Sequence, residues 1–167
     1  MLLVICQPSR SFLEFSVAEL GAGTGLVGIT AATLGANVVI SDLPIYVDAI
    51  QENIEHNRDI IQGDASARSI DWTEPVAEDL VGSADIVIVC DCVYYEASLQ
   101  PLVSTIRDLL KNADKSCVIF AYEERPDKIL LYQQFFELVH KHFVVTEIFN
   151  KRLESGNQMF LYRLNKS

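Results

Sequence analysis

The sequence predicts an α/β domain on a mostly parallel, twisted sheet, with helices on both faces and an antiparallel strand pair at its C-terminal end. Apolar runs of strand length alternate with segments of helical period, the pattern that builds a parallel sheet with helical crossovers. The run 84–90, Ala-Asp-Ile-Val-Ile-Val-Cys, is apolar almost throughout, as expected for a central strand buried on both faces. Two further strand-like runs close the chain with no helical segment between them, and a short turn joins only antiparallel neighbours.

The first strand is read at 15–20, followed by a glycine loop and a helix at 26–34 that ends at Gly35, a natural residue just past a helix end. The second strand is 36–41. Asp42-Leu-Pro44 then opens a second helix, because proline suits the first turn, with Ile45, Ala49, Ile50 and Ile54 on its apolar face and an exit near Asn57. A weaker strand at 65–70 precedes the central one, and a helix at 97–110 leads to a fifth strand at 116–121. A long amphipathic helix at 128–142 presents Ile129, Tyr132, Phe136 and Val139. The closing pair is 144–149 and 159–163, around a turn near Ser155-Gly-Asn157.

Half of the 167 residues are apolar and 22% are charged, which excludes a disordered or fibrous chain. Thirteen basic against 23 acidic residues give a formal charge of −10, a field that repels a phosphate backbone and disfavours nucleic acid as a partner. Cys6, Cys90, Cys92 and Cys117 make no C-x-x-C spacing, so neither a zinc ribbon nor a redox motif is expected, and no metal site is read. Reduced thiols fit a cytoplasmic protein, with the nucleus as a second location. The apolar start Met1 to Cys6 lacks a basic flank and stops before Pro8, so neither a targeting signal nor a membrane span is expected.

Glu19-Leu-Gly-Ala-Gly-Thr-Gly25 follows the first strand and opens a helix, a place where glycines let a ligand approach backbone N–H groups. A dinucleotide fingerprint would need glycine at position 26, where Leu26 stands, and a phosphate loop would need Gly-Lys-Ser/Thr where the chain has Gly28-Ile-Thr30. Asp42 lies about 20 positions after the loop, placed to accept from a ribose diol. A structural turn followed by a helix cap is the alternative. Trp72, the single tryptophan, follows the third strand and reads either as a platform for an adenine ring or as core. Cys90-Asp-Cys-Val-Tyr-Tyr-Glu96 sits at the carboxyl edge of the central strand, where such sheets bind ligands, although an Asp there also caps helices.

The G-x-G-x-G spacing after an acid, with Asp42 ending the next strand, resembles the first motifs of Rossmann-like class I methyltransferases. Asp91-Cys-Val-Tyr94 resembles the D-x-x-Y motif of the seven-β-strand protein-lysine methyltransferases, and within them the subgroup containing the lysine methyltransferase of valosin-containing protein. Supporting stretches are Ala31 to Ala36, Tyr122-Glu-Glu-Arg125 and Phe135-Phe-Glu-Leu138, so the likeness runs from Val17 to about Phe149. The resemblance implies S-adenosylmethionine as cofactor, bound by Glu19, Gly21, Ala22, Gly23, Gly25, Asp42, Trp72 and Cys90. It implies Asp91 and Tyr94 as the catalytic pair, and a protein bearing an accessible lysine, such as a chaperone-type ATPase, as substrate. Amino-methylating enzymes for nucleic acids or glutamine usually carry Asn/Asp-Pro-Pro-Tyr here, and both prolines are absent. Residues 1–16 match none of the family's usual upstream segment, so they are read as a divergent or truncated leader to a methyltransferase domain at 17–167. A small-amine methyltransferase and a non-catalytic binding module remain the two alternatives. Tyr95 is a second candidate for the channel wall, and Tyr122 to Arg125 reads either as the border of a substrate entrance or as an ordinary loop after the fifth strand.

Overall fold

The computed structural model describes residues 15–167. Of the expected leader 1–16 only Phe15 and Ser16 are included, and Cys6 also lies outside the described residues. The elements are β1 (Ser16–Leu20), α1 (Leu26–Thr33), β2 (Asn37–Asp42), α2 (Pro44–His56), β3 (Asp64–Ser69), β4 (Ile86–Cys90), α3 (Glu96–Leu109), β5 (Cys117–Glu124), α4 (Ile129–Val139), β6 (Phe143–Arg152) and β7 (Gln158–Lys166). They divide into two compact units, one ending at Ile70 and one running from Asp71 to Ser167.

In the first unit β2 lies between β1 and β3, and all three strands are parallel. The register sets Leu20 opposite Ser41 and Asp42 opposite Ser69, so the carboxyl ends of β1 and β2 come level. That alignment brings the glycine loop beside Asp42. Leu20, Ile40, Ile50 and Ile54 are fully buried, which ties α2 to the strands through apolar contact. Burying one such side chain stabilises by about 1.5–3 kcal/mol.

The second unit runs β4, β5, β7, β6, with β4 and β5 parallel and both pairs involving β7 antiparallel. The antiparallel end predicted from the missing crossover is therefore present. Val87 and Val89 of β4 are fully buried, as the apolar run requires. Phe120 of β5 meets Phe135 of α4 at 4.6 Å between ring centres, and Tyr122 meets Tyr132 at 4.0 Å. Among the described residues no helix is long and apolar enough to cross a membrane.

Three expectations need correction. On α2 the buried side chains are Ile50 and Ile54, whereas Ile45 is 77% exposed and Ala49 is exposed. At about 100° per residue, positions 45 and 49 stand about 140° and 100° from Ile50, so the core-facing stripe is rotated away from both. On α4 the stripe is Tyr132, Phe135 and Val139; Ile129 is exposed and Phe136 half-buried, and the helix ends at Val139. Tyr122, Glu123 and Glu124 belong to β5 and not to the loop after it. They pair with Phe160, Met159 and Gln158 of β7, whose backbone groups extend the ladder past the apolar run.

Candidate functional site

Loop 21–25 turns sharply, with Gly21, Gly23 and Gly25 all in the left-handed region at φ 63°, 57° and 81°. A Cβ on Gly23 would meet nothing within 4 Å, so the left-handed backbone there borders open space where a ligand can approach it. The loop is braced from three sides. The Ala22 N–H donates to the Ser41 carbonyl at 3.0 Å, the Gly23 N–H to Asp42 Oδ2 at 2.7 Å, and Asn53 Nδ2 of α2 to the Thr24 carbonyl at 2.9 Å. Asp42 also accepts from the Leu43 N–H through Oδ1 at 2.7 Å. Each carboxylate oxygen has a second lone pair, and the residue is half-exposed, so a diol can still be received there.

Glu19 is 2% exposed and lies behind the loop. Its Oε2 accepts from the Gly28 N–H at 2.8 Å, one of the orphan donors in the first turn of α1, whose own N-cap Gly25 offers no side chain. Gly28 is needed for this approach, because a Cβ there would run into the Glu19 carboxylate and lie 2.6 Å from Ile40 Cγ1. Burial raises the Glu19 carboxyl to about 7, opposed by the Gly28 N–H and reinforced by the negative charge of Asp42. A raised carboxyl pKa means that the folded state holds a proton the unfolded chain has released. Stability is thus greatest below the ordinary value of 4.5 and declines as pH rises to about 7. Glu19→Gln keeps an acceptor for Gly28 and has no charge to bury. Between pH 5 and pH 8 the wild type should lose on the order of 2–3 kcal/mol more than this variant in urea unfolding, and parallel pH profiles would contradict that assignment.

In the second unit, the turn after β4 buries two consecutive side chains and leaves those on either side of them accessible. Cys92 and Val93 are each 2% exposed and anchor the segment, leaving Tyr94 43% exposed and Asp91 accessible. Asp91 is the single non-glycine residue with positive φ, 52°, among the described residues, and its N–H donates to the Ala121 carbonyl at 2.8 Å. Asp tolerates that backbone better than most side chains, and such strain recurs at functional sites.

Arg125, just past β5, donates to Asp91 Oδ2 at 2.6 Å as an ion pair, and Lys128 Nζ donates to the Tyr94 carbonyl at 3.2 Å. Tyr132 of α4 donates to the Glu123 carbonyl at 3.2 Å. Burial, then the nearby Asp91 charge, pushes the Tyr132 phenol up to about 12, while Arg125 pulls the other way. The Tyr94 phenol is raised first by burial and then by Asp91. Both rings therefore stay protonated at neutral pH.

The family described as lysine methyltransferase matches residues 5–142. The chain belongs to this family. It is 32% identical over 151 residues to the calmodulin-lysine N-methyltransferase of Arabidopsis thaliana, a match covering 88% of this chain and 49% of that protein. It is 31% identical over 134 residues to the protein N-lysine methyltransferase METTL21A of Mus musculus, covering 80% and 59%. The chain thus spans about half the length of these curated relatives. Its fold is similar to that of a TehB-like SAM-dependent methyltransferase from Corynebacterium glutamicum, with TM-score 0.71 at 13% identity over 99% of this chain and 86% of that one.

Within this member of the family, Gly21, Ala22, Gly23, Gly25 and Asp42 come together in the first unit, with Glu19 as a buried brace and no exposed carboxylate of its own. Asp91 and Tyr94 come together in the second. Cys90 is half-buried at the end of β4, and its carbonyl accepts from Cys92 Sγ at 3.1 Å. Trp72 is half-buried in a turn where Asp71 Oδ1 accepts from the Thr73 N–H at 2.9 Å and the Thr73 hydroxyl at 2.7 Å. Tyr95 is 73% exposed, with its ring centre 6.5 Å from that of Tyr94. Sequence reasoning missed Asn53, Lys128 and the place of Tyr132 beside Asp91. No local pattern marks them, because each acts across the fold and not along the chain.

Proposed function

We propose that this chain binds S-adenosylmethionine and directs its methyl group to the side-chain amine of a lysine in a protein substrate. The observation that carries the reading is the outward pair Asp91 and Tyr94 on a strained turn, anchored by buried Cys92 and Val93, in a chain of the lysine methyltransferase family. The solved methyltransferase of similar fold is SAM-dependent, and the open space beside Gly23 together with the half-exposed Asp42 carboxylate fits such a ligand. Asp42 would hold the ribose hydroxyls and the Gly21 to Gly23 backbone would border the methionine and ribose parts; the resemblance adds Trp72 as a platform for the adenine and Cys90 as a further cofactor contact.

When bound, the cofactor supplies a methyl group made electrophilic by its sulfonium. The chain's task is to hold a neutral amine in line with it. A free lysine has a pKa of ~10.4, so the neutral form costs ~4.6 kcal/mol at pH 7. Tyr94 contributes by excluding water from the amine, and Asp91 by accepting an amine hydrogen bond that orients the nitrogen lone pair. The proton lost on neutralisation leaves to solvent. The D-x-x-Y reading makes Asp91 and Tyr94 the acceptor-side pair, with Glu19 supporting the cofactor loop from behind.

The net charge of −10 favours a substrate region that is basic around its lysine, and the resemblance makes a chaperone-type ATPase of the cytoplasm or nucleus the first candidate. Incubation with methyl-tritiated S-adenosylmethionine and cell lysate tests the reading. Label in discrete acid-precipitable protein bands is the expected result. Label confined to small amines would favour a small-amine methyltransferase, and failure to bind the cofactor would favour a binding module.

A further inference from the structure

Asp91 presents a problem of sign for the acceptor reading, because a carboxylate beside a lysine stabilises the ammonium, the form that cannot accept a methyl group. The structure places a cation on that carboxylate. Arg125 engages Asp91 Oδ2 at 2.6 Å, and no described residue donates to Oδ1.

We propose that Arg125 is a positioning residue that neutralises Asp91, so that Oδ1 accepts a hydrogen bond from the substrate amine while the local field favours its neutral form. The proposal rests on the acceptor role given to Asp91 above. It deepens that role by naming what makes a carboxylate compatible with a neutral amine.

The surrounding groups agree in sign. Lys128, on the Tyr94 carbonyl at 3.2 Å, adds a second positive charge to the same segment. From the β5 side the Glu123 carboxylate accepts instead from Asn157 Nδ2 at 2.7 Å, which engages it with the β6–β7 turn. Cys90 and Cys92 flank Asp91 in sequence, and the phenols of Tyr94 and Tyr132 are protonated near neutrality. Asp127 is the remaining acid whose charge is felt by Tyr132, ranking there after Asp91, Arg125 and Tyr94. Asp91 is also the main cause holding the Arg125 guanidinium above its ordinary pKa, so the arginine stays charged throughout the working range.

Guanidinium suits this duty because it is always protonated and holds a carboxylate through a planar fork. The exposed setting screens its field, so its effect on an amine about 6 Å away is a shift on the order of half to one pH unit.

The test is the pH dependence of methyl-tritium transfer to an acid-precipitable protein band of lysate, from pH 6.5 to 10, for wild type, Arg125→Met, Arg125→Lys and Asp91→Asn. Arg125→Met should move the rising limb alkaline by roughly half to one unit, lowering the rate at pH 7 about three- to tenfold while converging on wild type at high pH. Arg125→Lys should return most of the shift. A loss of equal factor at every pH, with an unmoved midpoint, would assign Arg125 a purely structural role and overturn the proposal. So would an unchanged Arg125→Met profile. If the wild type labels no protein, or Asp91→Asn labels as well as wild type, the acceptor reading itself fails and the proposal falls with it.

Discussion

Asp91→Asn should transfer methyl groups roughly a hundredfold or more slowly than wild type while binding S-adenosylmethionine about equally well. Asn occupies the left-handed backbone at position 91 as readily as Asp, so the 52° φ and the bond from its N–H to Ala121 should survive. What is lost is the charge that fixes Arg125 at 2.6 Å and the geometry it imposes on the amine. Misplacing a reacting nitrogen by about 1 Å costs about a hundredfold in rate, which sets the expected size. Single-turnover rates and calorimetric cofactor affinity, measured on the same preparation, separate the two effects. A parallel fall in both would make Asp91 part of the cofactor side.

Asp42→Ala should show the reverse pattern, with cofactor affinity reduced roughly ten- to a hundredfold, corresponding to about 1.5–3 kcal/mol for hydrogen bonds to a charged group. The structure adds a second consequence, since Asp42 also receives the Gly23 and Leu43 N–H groups at 2.7 Å each. Both bonds are exposed, so water replaces the carboxylate and stability should fall by only about 1 kcal/mol. Calorimetry together with thermal unfolding distinguishes a lost ligand contact from a collapsed loop. Equal affinity of wild type and variant would remove Asp42 from the site.

The strands and the glycine loop were legible because their signals are local. An unbroken Ile-Val-Ile-Val reads as a buried strand, and G-x-G-x-G after a strand reads as a ligand loop. The faces of α2 and α4 were less legible. Both helices are apolar on more than one side, and only packing decides that Ile50 and Phe135 are buried while Ile45 and Ile129 are not. Two acids follow the apolar run of the fifth strand at 123 and 124, so its end is not legible locally, yet β7 supplies backbone partners for Tyr122, Glu123 and Glu124.

The same extension explains why the central contact of the acceptor side was hidden. Arg125 reaches Asp91 across 34 positions only because β5 continues to Glu124 and delivers the next residue beside the turn after β4. Sequence reasoning found both residues without joining them. As an acid before a glycine loop Glu19 reads as a cofactor residue, and its carboxylate caps α1 through Gly28, a contact set by the absence of a Cβ at 28.

The central claim, methyl transfer to lysine under control of Asp91, is tested most directly by site-resolved mass spectrometry of the labelled lysate protein after reaction with wild type and with Asp91→Asn. The account predicts methylation on the Nε of a lysine with wild type and its near-complete absence with Asp91→Asn. Methylation on another residue type, or equal lysine methylation by both proteins, would contradict it.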